Sequence, residues 1–251
     1  MPTPSAETGL EAMALGARYP AIEVFRDVSF RVEPGTCLGI IGPNGCGKST
    51  LLDTLAGIRP PDSGRVVRSD RLAYVPQNYR QSFVRWASLE TSLLLTAPQP
   101  VADREAHRRT LSAAATELGL DVDLRLRPAA CSGGMLQQAA LLRALWRPAP
   151  VVLMDEPLSA LDVEVSRRLR PKIRRLIAER RACAVVVLHH PDEVLDLCDR
   201  VLVVPDRPFS TEARPDVGRA ELHHLAAGGA RPVEVGTASF AAAVRLQLGL
   251  V

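Results

Sequence analysis

Residues 36–57 read TCLGIIGPNGCGKSTLLDTLAG, and this one stretch leaves the chain few ways to fold. The unbroken apolar segment at 38–41 has the character of a strand buried on both faces. Glycines at 42, 45 and 47 follow, and Leu51, Leu52 and Leu55 then recur at helical spacing until Gly57 stops the run. Strand, glycine-rich loop and helix in immediate succession form the repeating unit of a parallel α/β sheet whose faces are covered by helices. With 251 residues and 47% apolar content, the chain can bury such a core as one large domain or as lobes that share it.

The loop matches GxxxxGK[ST] at every fixed position of 42–49. The residue types have a chemical reason. A backbone running through Gly42, Pro43, Asn44, Gly45, Cys46 and Gly47 can wrap a polyphosphate with little Cβ obstruction. The helix that starts beside it adds a favourable dipole. Lys48 is in position to reach the β and γ phosphates, and Ser49, next to Thr50, to ligate magnesium. Lys48 is also conspicuous because Lys172 is the only other lysine among 31 basic residues. These features predict a nucleoside triphosphate site.

A second apolar run, VVLMDEP at 151–157, ends in adjacent carboxylates. Open parallel sheets gather ligand groups at the C-terminal ends of such strands. Asp155 suits magnesium, through water, while Glu156, facing the other way along the strand period, can orient or deprotonate an attacking water. Composition excludes other classes. The formal charge of +3, from 31 basic and 28 acidic residues, argues against a nucleic-acid footprint. The five cysteines (37, 46, 131, 183 and 198) lack CxxC spacing, which predicts reduced thiols rather than a zinc site or a disulfide framework. No apolar run of about eighteen residues occurs, and the first residues lack the basic start and apolar stretch of a signal peptide, so a cytosolic chain is expected.

Between these two motifs lies CSGGM, 131–135, just ahead of LQQAALLRALW. Taken alone, it is a helix start capped by Ser132. In its setting it completes a series, and the chain resembles the ATP-binding subunits of ABC transporters. GPNGCGKST is similar to the Walker A motif, YVPQ at 74–77 to the Q-loop, CSGGM to the signature, and VVLMDE to the Walker B motif. SALD at 159–162 is similar to the D-loop, and His189 in VVVLHHPDEV to the switch histidine. The resemblance implies that ATP with Mg2+ is held by 42–50, Gln77 and Asp155, with Glu156, Gln77 and His189 around the attacking water. It further implies that Ser132, Gly133 and Gly134 of one subunit close over the ATP of a second, identical or homologous, subunit, and that Asp162 of the D-loop belongs to the ATP-binding set. Tyr19, upstream of the loop, resembles the aromatic that stacks on adenine. His107, His190, His223 and His224 are expected to face solvent.

The expected fold is α/β, with a P-loop NTPase core of mostly parallel sheet, an antiparallel β edge subdomain and an inserted α-helical subdomain. Apolar alternation at Ile22, Val24, Val28, Phe30 and Val32 predicts the antiparallel edge, and strands are expected near 37–41, 151–155, 184–188 and 201–204. Residues 1–251 read as a single ABC ATPase domain. About 1–80 and 140–205 form its nucleotide-binding core, about 81–139 a helical signature lobe that includes DREAHRRTLSAAATELGL, and about 206–251 a tail with a short helix candidate, ASFAAAVRLQL.

Within the family, PQNYRQSFVRW at 76–86 resembles the nitrate, taurine and aliphatic sulfonate importers, where Q-D-x-x-x-x-L-x-P-W follows the Q-loop. Trp86 matches, while Asn78 and Arg85 replace the acid and the proline. The resemblance then implies an ATPase peripheral to the cytoplasmic face of the cell membrane, docked on an integral membrane permease and indirectly served by a solute-binding protein, with no nucleic-acid partner. A soluble regulatory ATPase that dimerises on ATP without transport, or the ATPase subunit of an exporter, is the alternative.

Overall fold

The computed structural model describes residues 9–95, 104–204 and 217–218. The candidate tail helix, His223 and His224 lie outside the described residues. The protein is a mixed α/β structure built on two sheets. β1 (Leu10–Tyr19), β2 (Ile22–Val32) and β4 (Ser63–Val67) form an antiparallel sheet in the order β2-β1-β4. The larger sheet contains β3 (Cys37–Ile41), β5 (Leu72–Val75), β6 (Val151–Asp155), β7 (Cys183–Val187), β8 (Arg200–Val203) and the two-residue β9 (Val217–Gly218). Its order is β5-β6-β7-β3-β8-β9, with every pairing parallel except that of β8 with β9.

The central strands are apolar throughout because both faces of the sheet are covered. Leu38, Ile40, Leu153, Val185 and Val187 pack towards the antiparallel sheet and α1 (Lys48–Ala56), sharing a core with Leu10, Phe25, Leu51, Leu52 and Leu55. Their alternates, Ile41, Val152, Met154, Ala184 and Val186, point to the opposite face. There they meet α4 (Gly133–Leu145), α5 (Val163–Glu179) and α6 (Pro191–Leu197), with α2 (Leu89–Leu95) and α3 (Arg104–Leu118) beyond. A period of two on a doubly covered sheet thus produces two cores from one set of strands.

The four strands expected from the sequence coincide with β3, β6, β7 and β8 to within one residue, while β4 and β5 were not foreseen. SGRVV in β4 is mostly exposed, and LAYV in β5, though apolar, is a run of only four residues at the sheet edge, so neither reads as a central buried strand. The strict alternation expected in β2 also breaks. Ile22 is exposed, whereas Val24 and Phe25 are both buried, because Asp27 adopts φ 50 and the register with β1 shifts between Leu15 and Arg18. α4 runs without interruption across position 139, where the sequence reading divided lobe from core. His107 is half-buried rather than solvent-facing, its ring edge-on to Trp146 at 6.1 Å.

The turn from β3 into α1 is fixed by close approach. A Cβ on Gly42 would lie 2.2 Å from the carbonyl oxygen of Val204, whose own N–H donates to Ile41 O at 2.7 Å. Backbone stands on both sides, so no side chain can swing away to make room. Gly42→Ala is therefore expected to lower the thermal unfolding midpoint by several degrees, at about 2–4 °C per kcal/mol for a domain of this size. An unchanged midpoint in a calorimetric scan would show that the loop yields.

Candidate active site

Four neighbouring parallel strands end along one edge of the larger sheet, and each carries a site residue just past its C-terminus. β3 leads into the loop at Gly42, β7 into His189, β6 into Glu156 and β5 into Gln77. Residues far apart in the chain, Gln77 and Glu156 by 79 positions among them, meet because their strands are in parallel register. Gln77, Glu156 and His189 line a cavity of about 520 Å³ together with Asn44, Gly45, Gly47, Lys48, Ser49, Thr50, Ser159, Leu188, His190 and Glu193.

On the loop side of the cavity, Gly47 caps α1 with φ 114, a conformation closed to residues that carry a Cβ. Lys48 is buried, and its Nζ donates to the carbonyl oxygens of Gly42 and Pro43 at 2.8 Å each. Its ammonium is thereby held within the curve of the loop. Cys46 is buried against the core on the inner side, while Asn44 and Gly45 are exposed.

Across the cavity, three side chains meet at a single atom. Gln77 Nε2 donates to Glu156 Oε1 at 3.0 Å, and His189 Nε2 lies 2.8 Å from the same oxygen. Glu156 occupies the left-handed region at φ 49, and its N–H donates to Val187 O at 3.2 Å. A non-glycine residue in this region stores strain, a frequent feature of functional turns.

Asp155 is 2% exposed and its Oδ1 has no hydrogen-bond partner. Burial, reinforced by the charges of Glu156 and Asp53, raises its carboxyl above the ordinary range, against the opposing influence of the Ser49 hydroxyl and of Lys48. A buried carboxylate with an unsatisfied oxygen beside a serine hydroxyl is a donor set suited to a hard divalent cation, taken directly or through water. Asp155 and Ser49 therefore fit magnesium, and Gln77 lines the same cavity as Ser49. Glu193, which the sequence reading passed over, is also buried, and desolvation raises its carboxyl.

Other predicted site residues stand apart from this cavity. Ser132 caps α4, its Oγ accepting the N–H of Met135 at 3.2 Å, and Gly133 and Gly134 form the first turn of that helix. Asp162 caps α5, accepting the N–H of Val165 at 2.9 Å. Tyr19 is 46% exposed at the turn between β1 and β2, with the Arg59 guanidinium 4.6 Å from its ring centre. His190 is exposed as foreseen, yet it lines the cavity. Gln137, in the apolar run after CSGGM, was also overlooked, and its polarity at a core position of α4 was the available clue.

A family model described as ABC transporter matches residues 25–159. The chain is 36% identical over 208 residues to the Fe(3+) ions import ATP-binding protein FbpC 1 of Rhizobium meliloti (strain 1021), covering 79% of this chain and 59% of that protein. It is 34% identical over 203 residues to the nitrate import ATP-binding protein NrtC of Synechococcus elongatus, covering 77% of this chain and 30% of that protein. It is 35% identical over 210 residues to the aliphatic sulfonates import ATP-binding protein SsuB 1 of Rhodococcus jostii (strain RHA1), covering 82% and 83% respectively. The chain thus spans most of the sulfonate protein but less than two thirds of the other two. Among solved structures, the dimeric structure of MJ0796, a bacterial ABC transporter cassette, superposes with a TM-score of 0.73. It is 20% identical, over 84% of this chain and 98% of that one, a likeness of fold alone.

The unpaired oxygen of Asp155 allows a direct check. Asp155→Asn removes the buried charge at constant size and is expected to raise the thermal midpoint of the nucleotide-free protein by a few degrees at neutral pH. Because the carboxyl is held above its ordinary range, its penalty is absent in acid, below the unfolded pKa of about 3.9, and sets in as pH rises through the folded value. The gain in stability should therefore disappear in acid. A variant no more stable than the parent at neutral pH would mean that Ser49 and Lys48 already satisfy the ionised group.

Proposed function

The chain belongs to the ABC transporter family, and from that premise we propose that it is the ATP-hydrolysing subunit of an importer, acting on a separate membrane permease. The observation that carries this reading is the convergence of Gln77 and His189 on one oxygen of Glu156, beside a phosphate-binding loop and an unsatisfied Asp155. In this reading the amides of 42–50 and Lys48 hold the triphosphate. Magnesium, held by Ser49, Asp155 and Gln77, neutralises phosphate charge when bound. Glu156 orients a water in line with the γ phosphate and takes its proton as the bond to the leaving ADP breaks. His189 fixes the carboxylate and contacts the γ phosphate. The exposed ring of Tyr19 stacks on adenine.

Ser132, Gly133, Gly134 and Asp162 lie away from the cavity of their own chain, which suits action on the nucleotide of a second copy across a two-fold axis. ATP then joins the two copies, and loss of the γ phosphate releases them. Among the described residues no helix is long and apolar enough to cross a membrane. The permease supplies that crossing, with the ATPase on its cytoplasmic face and a solute-binding protein on the far side. Relatives named for nitrate and aliphatic sulfonate import, together with Trp86, favour an oxyanion of the nitrate, sulfonate or taurine type as the solute.

Glu156→Gln is expected to bind ATP with parental affinity, to hydrolyse it at least about a hundredfold more slowly, and to accumulate as an ATP-stabilised dimer in size-exclusion chromatography. Turnover near the parental rate would remove Glu156 from the chemistry. A second test uses Trp86, which is 75% exposed between the turn at Tyr79–Ser82 and α2. A large aromatic left in solvent is a strong interface anchor. Trp86→Ala should weaken assembly with the permease while leaving basal hydrolysis and the melting temperature close to the parent's. Undiminished assembly would remove Trp86 from the docking surface, whereas a parent protein that itself assembles with no permease would favour the soluble regulatory alternative.

A further inference from the structure

Gln137 lies on the buried face of α4 with no exposed surface, among Leu136, Ala139, Ala140 and Leu141. A carboxamide in such a place needs partners, and all of those it has belong to the turn that follows β6. Its Nε2 donates to Glu156 O at 2.9 Å and approaches Ser159 Oγ at 3.4 Å, while its Oε1 accepts the N–H of Ala160 at 2.5 Å. Ser159 Oγ also donates to Glu156 O, at 3.0 Å. The strained backbone of Glu156, at φ 49, is therefore held on both sides, its N–H by Val187 and its carbonyl by Gln137 and Ser159. The same helix also passes close to the same turn. A Cβ on Gly134 would meet Ala160 O at 3.2 Å.

We infer that Gln137 is a positioning residue for Glu156, and that through it α4 mechanically joins the two nucleotide sites of the dimer. The second half rests on the function proposed above, in which Ser132 at the start of α4 touches the partner copy's ATP. Ser132 and Gln137 are little more than one turn apart on one continuous helix, about 7.5 Å along its axis. Displacement of the helix start is thus transmitted to Gln137 almost undiminished. Gln137 passes it to the carbonyl of a residue that remains left-handed only while its hydrogen bonds hold it there. If Glu156 relaxes to an ordinary backbone conformation, its carboxylate turns from the oxygen position that Gln77 and His189 share. Closure over the partner's ATP therefore sets the catalytic carboxylate of the closing copy.

Two substitutions separate this role from simple packing. Gln137→Glu keeps an acceptor for Ala160 N–H but removes the donor to Glu156 O, and Gln137→Met fills the space with neither. Steady-state hydrolysis at a temperature where both variants are folded is expected to show kcat lowered at least about tenfold with the KM for ATP within about threefold of the parent. The Hill coefficient for ATP should fall towards one. In a Glu156→Gln background, Gln137→Met should still form the ATP-stabilised dimer, because closure uses Ser132 and the loop at 42–50. Parental kcat in folded Gln137→Met would overturn the positioning role, as would a loss that follows ATP affinity or unfolding alone. Lowered kcat with an unchanged Hill coefficient would overturn the link between sites. If Glu156→Gln by itself forms no ATP-dependent dimer, the functional reading fails and the link fails with it, while the kcat and KM split still decides the positioning role.

Discussion

Val187 is the register partner of Ile40 on one side and of Asp155 on the other, so a single row across β3, β7 and β6 fixes where three strands stop. Two residues past Ile40 the phosphate-type loop begins, one past Asp155 stands Glu156, and two past Val187 stands His189. The hydrogen bonds leaving that row, Leu188 N–H to Ile40 O and Glu156 N–H to Val187 O, carry the alignment beyond the strands into the site. A slip of one residue in either pairing would reverse the faces of an entire strand and draw the carboxylate away from the loop. The apolar burial of β3, β6 and β7 on both faces makes such a slip costly. The precision of the polar cluster at the edge is inherited from the hydrophobic layers beneath it.

What could be read from the sequence was what is local. The glycine loop, the strand running into Asp155 and Glu156, and the helix starts at Lys48 and Gly133 carry their own geometry in adjacent residues, and the structure has them where the sequence put them. The less legible features depend on distant neighbours. β5 is recognisable as a strand only through its pairing with β6, and the polarity of Gln137 at a core position takes its meaning from the turn it meets across the core. Glu193 joins the cavity because α6 begins beside the end of β7. His107 leaves solvent because Trp146 lies against it. The alternation in β2 failed at Asp27, whose left-handed backbone answers to pairing with β1 rather than to its own side chain.

The site brings several unfavourable features together. A left-handed glutamate, an aspartate oxygen buried without a partner and a lysine folded onto carbonyls lie within one small region, at the ends of strands that are buried throughout. Each of these features is unfavourable alone, and together they are tolerated because the sheet cannot relax them without losing its register.

The cap at Ser132 carries a further meaning in the polarity of its hydroxyl. Oγ receives the amide hydrogen of Met135 through a lone pair, which leaves the hydroxyl's own hydrogen uncommitted to the helix. Aspartate would cap the same helix as well as serine does, but its ionised oxygens can only accept, and they would repel an anion at the helix start. Helix stability is therefore indifferent between the two residues, and the direction in which a proton can be offered outward is what distinguishes serine.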